Sequence, residues 1–237
     1  SLTGSKDLSD PLFVKLIGKN FNFLTVSFSY MFNLMFASFL VVSFVILGEY
    51  SLAGELGLVT SFWITITQIF SSNMRSIVIS EDSVSSAQQT LLYRLTFSII
   101  SLIIFYFLVE SFAFDNQKLI NVVTFLIMTQ WINEMHLVQY EVKKKYNYFV
   151  KFMLLNLLII ISTGIFLYVG KIDNLIYLIQ IYIALVLGLI LVPFMKSIKD
   201  SKYNIKKIIE LNIKTIAFLS SFSVIISSFA WRMMIYF

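Results

Sequence analysis

The sequence predicts an all-α fold, a polytopic transmembrane helix bundle, and three observations carry that expectation. First, 58% of the 237 residues are hydrophobic and only 13% are charged, with a mean hydropathy of +0.85. A soluble domain is about one quarter charged. This chain therefore lacks the polar surface needed to cover a globule in water, which excludes a soluble enzyme. Second, the apolar residues gather in runs of about 20, the length that one helical crossing takes. Third, only two prolines occur, so long helices can run unbroken. The short-period alternation of a membrane β-barrel is nowhere visible.

Taken in order, residues 1–20 are expected to form a cytoplasmic amphipathic lead-in helix. Ser9-Asp10-Pro11 sets cap residues before a proline at the first helical position. Leu12, Phe13, Leu16 and Ile17 then share one face, against Lys15 and Lys19. Residues 21–197 form a six-helix lobe. Its spans are 21–47, 51–72 after the Gly48-Glu49-Tyr50 turn, 91–108, 119–140, 148–169 and 174–195. Residues 198–212 form an amphipathic linker, where Lys202, Lys206, Glu210 and, just beyond, Lys214 recur opposite Ile205, Ile208 and Ile209. Both amphipathic segments suit a membrane surface. A seventh helix, 213–237, is still apolar at Phe237. With serine at the first position, a piece of a longer protein is expected. Val26-Ser27-Phe28-Ser29 and Ser220-Ser221-Phe222-Ser223 sit at like positions, as in parallel repeats whose second lobe opens with the seventh helix.

The basic residues set an orientation. Lys6, Lys15 and Lys19 precede the first span, and Arg75 and Arg94 flank the second connection. Lys143, Lys144, Lys145 and Lys151 flank the fourth connection, and Lys196, Lys199, Lys202, Lys206, Lys207 and Lys214 the sixth. The opposite side has only Lys118 and Lys171, and Arg232 lies inside the seventh span. The N-terminus is thus expected in the cytoplasm. The net charge of +5 is a topology signal, and no nucleic-acid partner is expected. The polar, basic start does not read as a cleavable signal peptide.

The chain has no Cys and one His, which excludes disulfides, thiolate metal sites, Cys nucleophiles and His-rich metal centres. Gly-rich phosphate loops, G-x-S-x-G and H-E-x-x-H are absent from the sequence. Neither an enzyme nor a cofactor is expected. The candidate functional residues are instead polar groups inside the spans. Ser61, Thr65, Gln68, Ser72 and Arg75 follow helical spacing and make one polar stripe ending in a cation. Tyr30 and Asn33 with Ser27, and Arg94 with Ser98 and Ser101, are shorter stripes. These could be cavity lining or the small-residue contacts that pack membrane helices.

The fourth span is the most polar, with Gln130, Asn133, Glu134, His136 and Gln139. Ionisable groups in hydrocarbon normally face protein or water. Glu134 lies roughly 9 Å from the inner end of that span. It is either a salt-bridge partner of Arg75 or Arg94 or a protonatable ion-coupling site. His136 is a packing residue or a proton relay. Arg232, about nineteen residues into the seventh span, is either an interface anchor beside Trp231 and Tyr236 or a cavity cation able to hold a phosphate.

Two stretches resemble a known family. Gly48-Glu49-Tyr50-Ser51-Leu52-Ala53, continuing to Asn73-Met74-Arg75 and Ser80-Glu81-Asp82, is similar to the turn, second helix and "R-x-x-x-x-S-D" ending of the polysaccharide-transport branch of the MOP exporter superfamily. Glu81 stands where that pattern has Asp. Trp131-Ile132-Asn133-Glu134-Met135-His136-Leu137 is also similar to members of this branch. The resemblance implies the N-terminal six-helix lobe of an O-antigen or lipid-linked oligosaccharide flippase plus the first helix of a second lobe. It implies alternating access in a bacterial inner membrane, with undecaprenyl-pyrophosphate-linked oligosaccharide as cargo. A polysaccharide polymerase and a chain-length regulator are the implied partners, and Arg75, Arg94 and Arg232 the implied lining. Two other classes stay open: a multidrug exporter of the same superfamily and a membrane-embedded glycan-modifying acyltransferase.

Overall fold

The computed structural model describes residues 11–71, 74–110, 114–170 and 172–198. They form seven helices: α1 Pro11–Ile46, α2 Tyr50–Ser71, α3 Met74–Ser80, α4 Val84–Glu110, α5 Gln117–Val142, α6 Tyr146–Tyr168 and α7 Ile172–Ile198. No strand occurs among the described residues. Stretches of α1 (Phe21–Ile46), α4 (Val84–Phe107), α6 (Tyr146–Tyr168) and α7 (Ile172–Phe194) are long and apolar enough to cross a membrane. Residues 199–212 of the linker, the seventh span and Arg232 lie outside the described residues, and Ile198 is the last residue of α7.

Local chemistry sets the helix ends. Pro11 opens α1, which continues past residue 20, so residues 11–20 of the lead-in segment and the first span are one helix, residues 1–10 lying outside the described residues. The Ser83 hydroxyl accepts the Ser86 amide at 3.3 Å and caps α4, a first-turn donor satisfied in the usual way. This helix therefore starts seven residues before the apolar run that marks it in the sequence. Asn116 caps α5 through the Leu119 amide at 3.2 Å. The α1–α2 turn closes with Glu49 N–H to Phe44 O at 3.0 Å and Gly48 N–H to Val45 O at 3.1 Å. That Schellman geometry needs a left-handed residue, here Gly48 at φ 81°.

Helix α5 is the axis of the bundle and packs against every other described helix. It buries 18 of its 26 residues, yet it is the least hydrophobic of the long helices. The outer helices show the reverse pattern. On α6, Leu154, Leu158, Ile161 and Ile165 are exposed, while Asn156 and Thr163 are buried. On α7, Tyr177, Ile181, Leu185 and Val192 are exposed. Apolar faces outward and polar groups inward are what lipid demands, because hydrocarbon offers polar groups no partner.

Polar contacts then join the helices. Ser29 Oγ donates to Phe149 O at 3.0 Å between α1 and α6. Tyr182 Oη donates to Asn156 Oδ1 at 2.7 Å between α7 and α6. Tyr182→Phe is expected to lower stability by about 1 kcal/mol, read as an earlier unfolding midpoint in detergent.

The bundle has two ends. The far end carries the α1–α2 turn, the α4–α5 connection and the α6–α7 turn. There the Asp115 amide donates to Glu55 Oε1 at 2.9 Å. The near end carries α3, the α3–α4 turn and the α5–α6 turn.

Candidate functional site

A polar seam runs along α5 from Gln130 to Glu141, about 16 Å at the helical rise. Its centre is Arg94 of α4, whose side chain is 0% exposed. Arg94 Nη1 donates to Glu134 Oε2 at 2.7 Å and also to the Trp131 carbonyl. The guanidinium carbon lies 4.9 Å from the Trp131 ring centroid, a cation–π contact. Arg94 thus meets carboxylate, carbonyl and aromatic face in one turn of α5. A buried guanidinium is tolerable only with such compensation. Of the two pairings expected for Glu134, the one formed is with Arg94.

Arg75 belongs to α3 and pairs with Glu141, two turns along α5 from Glu134. Its Nη2 lies 3.3 Å from Glu141 Oε2. Tyr30 of α1 donates to the same oxygen at 2.8 Å. The Arg75 guanidinium stacks on the Tyr30 ring at 3.7 Å. Tyr30, Arg75 and Glu141 therefore clasp α1, α3 and α5 together at the near end. The Arg75 side chain is 37% exposed, so the clasp adds no more than about 1 kcal/mol.

Asn33 of α1 joins the seam beside the Arg94 cluster, on the side away from Glu141. It donates to Gln130 O at 2.8 Å and accepts from Asn133 Nδ2 at 2.9 Å. His136 lies round the α5 circumference, with Nε2 3.1 Å from Tyr148 Oη. Its ring meets those of Tyr140 and Tyr148 edge-on. These contacts pack the ring at the α5–α6 contact.

Tyr30, Asn33, Arg75, Arg94 and Glu134 are thus brought together, whereas His136 is on another face. Ser61 is half-buried on α2. The side chains of Thr65 and Gln68 lie outside the described residues, as does Arg232. Arg75 sits on α3, which begins at Met74, and residues 72 and 73 before it lie outside the described residues. Sequence spacing places Glu141 on the same side of the fourth span as Gln130, Asn133 and Glu134 but gives it no role of its own. Its signal was the seven-residue spacing from Glu134, which returns it to the same face of α5.

Among the described residues, the seam's buried unpartnered donors outnumber its one buried unpartnered acceptor, Asn133 Oδ1. Arg94 Nε and Nη2, Arg75 Nε and Gln130 Nε2 are buried without a hydrogen-bond partner among the described residues. Buried polar groups are normally satisfied. Four spare N–H-bearing atoms around two guanidiniums suit a ligand rich in oxygen acceptors. No cluster of His, Asp and Glu suited to a metal occurs among the described residues. At the far end, α5 and α7 frame a cavity of about 570 Å³. Lys118, Asn121, Asp173 and Gln180 supply its polar lining, and Phe125 and Leu187 part of its apolar lining. No protein-family model, curated protein or solved structure matches the chain.

Proposed function

We propose that the chain is a membrane transporter that flips an undecaprenyl-pyrophosphate-linked oligosaccharide by alternating access. It does so from the cytoplasmic to the outer leaflet of a bacterial inner membrane, with its N-terminus in the cytoplasm. The observation that carries this reading is the donor-rich seam around Arg94 and Arg75, enclosed by helices whose outer faces are apolar. A pyrophosphate presents only acceptor oxygens, and guanidinium binds it through paired hydrogen bonds. The polyprenyl tail needs no protein cavity, because it can remain in lipid.

In this mechanism the pyrophosphate takes the place of Glu134 at Arg94, and the released carboxylate takes up a proton. Glu134 thereby couples cargo to proton movement. The Tyr30–Arg75–Glu141 clasp closes the near end and opens to admit cargo. At the far end, the amides and charged groups of the α5–α7 cavity suit sugar hydroxyls. A drug exporter for organic cations is less well supported, since both seam carboxylates are already held by guanidiniums.

Arg75→Ala tests the clasp. The pair is partly exposed, so protein abundance is expected to hold while surface glycan is lost. Immunoblotting and glycan staining of the same cells read both, and normal glycan display would remove Arg75 from the transport path.

A further inference from the structure

The turn between α5 and α6 frames a second cavity, of about 620 Å³, at the near end. Lys144 and Lys145 of the turn, Lys151 of α6 and the amides Asn22 and Asn147 line it. No carboxylate is among its lining residues. Tyr140 and Tyr148 also line it, their rings stacked 3.8 Å apart and parallel to within 1°. The seam does not include this cavity, and the proposed transport does not use it.

The backbone of Lys144 points to a role for its side chain. Lys144 N–H to Glu141 O and Lys145 N–H to Tyr140 O, both 2.9 Å, make the same closing pair as the α1–α2 turn. Lys144 holds the left-handed position at φ 54°. At the far end the positive-φ turn residues are Gly48 and Gly170, and at the near end the other one is Asp82 at φ 45°, a residue type that tolerates this conformation. Glycine takes this conformation without strain, whereas a side chain costs about 1 kcal/mol or more. A lysine kept at such a position, on the rim of a cavity with two further lysines, is accounted for by what its ammonium binds.

Location identifies the ligand. Asn22 is flanked by Phe21, Phe23 and Leu24, all exposed. From Lys151, the exposed Leu154, Leu158, Ile161 and Ile165 continue along one face of α6. A cationic cavity thus opens at the head of an apolar stripe about 16 Å long, close to the roughly 15 Å of hydrocarbon in one leaflet. We propose that this cavity binds the phosphate headgroup of an anionic phospholipid, with an acyl chain lying along the α6 stripe.

The test is a native mass-spectrometric titration of the purified chain in neutral detergent with phosphatidylglycerol, phosphatidylcholine and inorganic phosphate. Phosphatidylglycerol is expected to bind at least tenfold tighter than phosphatidylcholine. Each lysine near a charged surface contributes about fivefold, so Lys145→Gln with Lys151→Gln is expected to weaken phosphatidylglycerol about thirtyfold. Lys143→Gln removes the same charge from an exposed residue outside the lining, and less than a twofold change is expected. Lys144→Gly is expected to weaken the lipid about fivefold while raising the melting temperature, which shows that the variant folds. An equal loss in Lys143→Gln would overturn the proposal by showing diffuse attraction. So would inorganic phosphate binding as tightly as the lipid, or unchanged lipid affinity in Lys144→Gly.

Discussion

Arg94→Ala is expected to remove most of the protein from the membrane, and Arg94→Ala combined with Glu134→Ala to restore its abundance without restoring transport. Arg94 is fully enclosed, and its 2.7 Å contact is the counter-charge that Glu134 has in the seam. Removing one member of a buried pair leaves an uncompensated charge and costs about 3–5 kcal/mol. That is a large fraction of the roughly 5–15 kcal/mol by which folded proteins are stable. Removing both members eliminates the unpaired charge, so folding recovers. Transport does not recover in this account, because the spare Nε and Nη2 donors leave with Arg94. Immunoblotting and a flipping assay on the two variants separate the roles. Wild-type flipping by the double variant would make Arg94 a structural tie and nothing more.

Trp63→Ala is the second large effect. Trp63 is 1% exposed and bridges α2 to α4, with ring centroids 5.5 Å from Phe62 and 5.0 Å from Phe105. Loss of a buried aromatic costs about 3–5 kcal/mol, part of it from the cavity left behind. In a membrane the transfer part is reduced, because lipid tails are as apolar as the core. The lost dispersion contacts remain. A loss of about 3 kcal/mol is expected, seen as a sharply lower melting temperature in detergent. Trp63→Phe keeps a ring in place and is expected to cost less than about 1.5 kcal/mol, since the indole Nε1 has no partner among the described residues. Equal losses in both variants would contradict the packing explanation.

The helices were legible wherever lipid exposure dictates composition. Runs such as Tyr148–Val169 announce themselves, and α6 departs from that run by two residues at its start and one at its end. The start of α4 was hidden, because Ser85, Ser86, Gln88 and Gln89 make its first turns polar. Ser83, whose hydroxyl accepts the Ser86 amide, was the available cap signal.

The polarity of α5 was plain in Gln130, Asn133, Glu134 and His136, but its central position was not. A helix surrounded by other helices can be polar without meeting lipid, and which helix is surrounded depends on packing that sequence spacing does not encode. The same limit applies to the ion pairs. Glu134 had two candidate arginines, and the choice follows from α4 lying along the middle of α5 while α3 reaches its near end. The Asn156–Tyr182 bond carried no sequence signal, being one polar residue on each of two apolar helices.

The most direct measurement of the central claim is flipping by the purified protein in proteoliposomes. A fluorescent undecaprenyl-pyrophosphate oligosaccharide, placed in one leaflet, is followed with a quencher that does not cross the membrane. Quenchable label is expected to redistribute between leaflets faster than in protein-free liposomes, and Arg75→Ala to abolish the difference. Redistribution at the protein-free rate by the intact protein would contradict that claim.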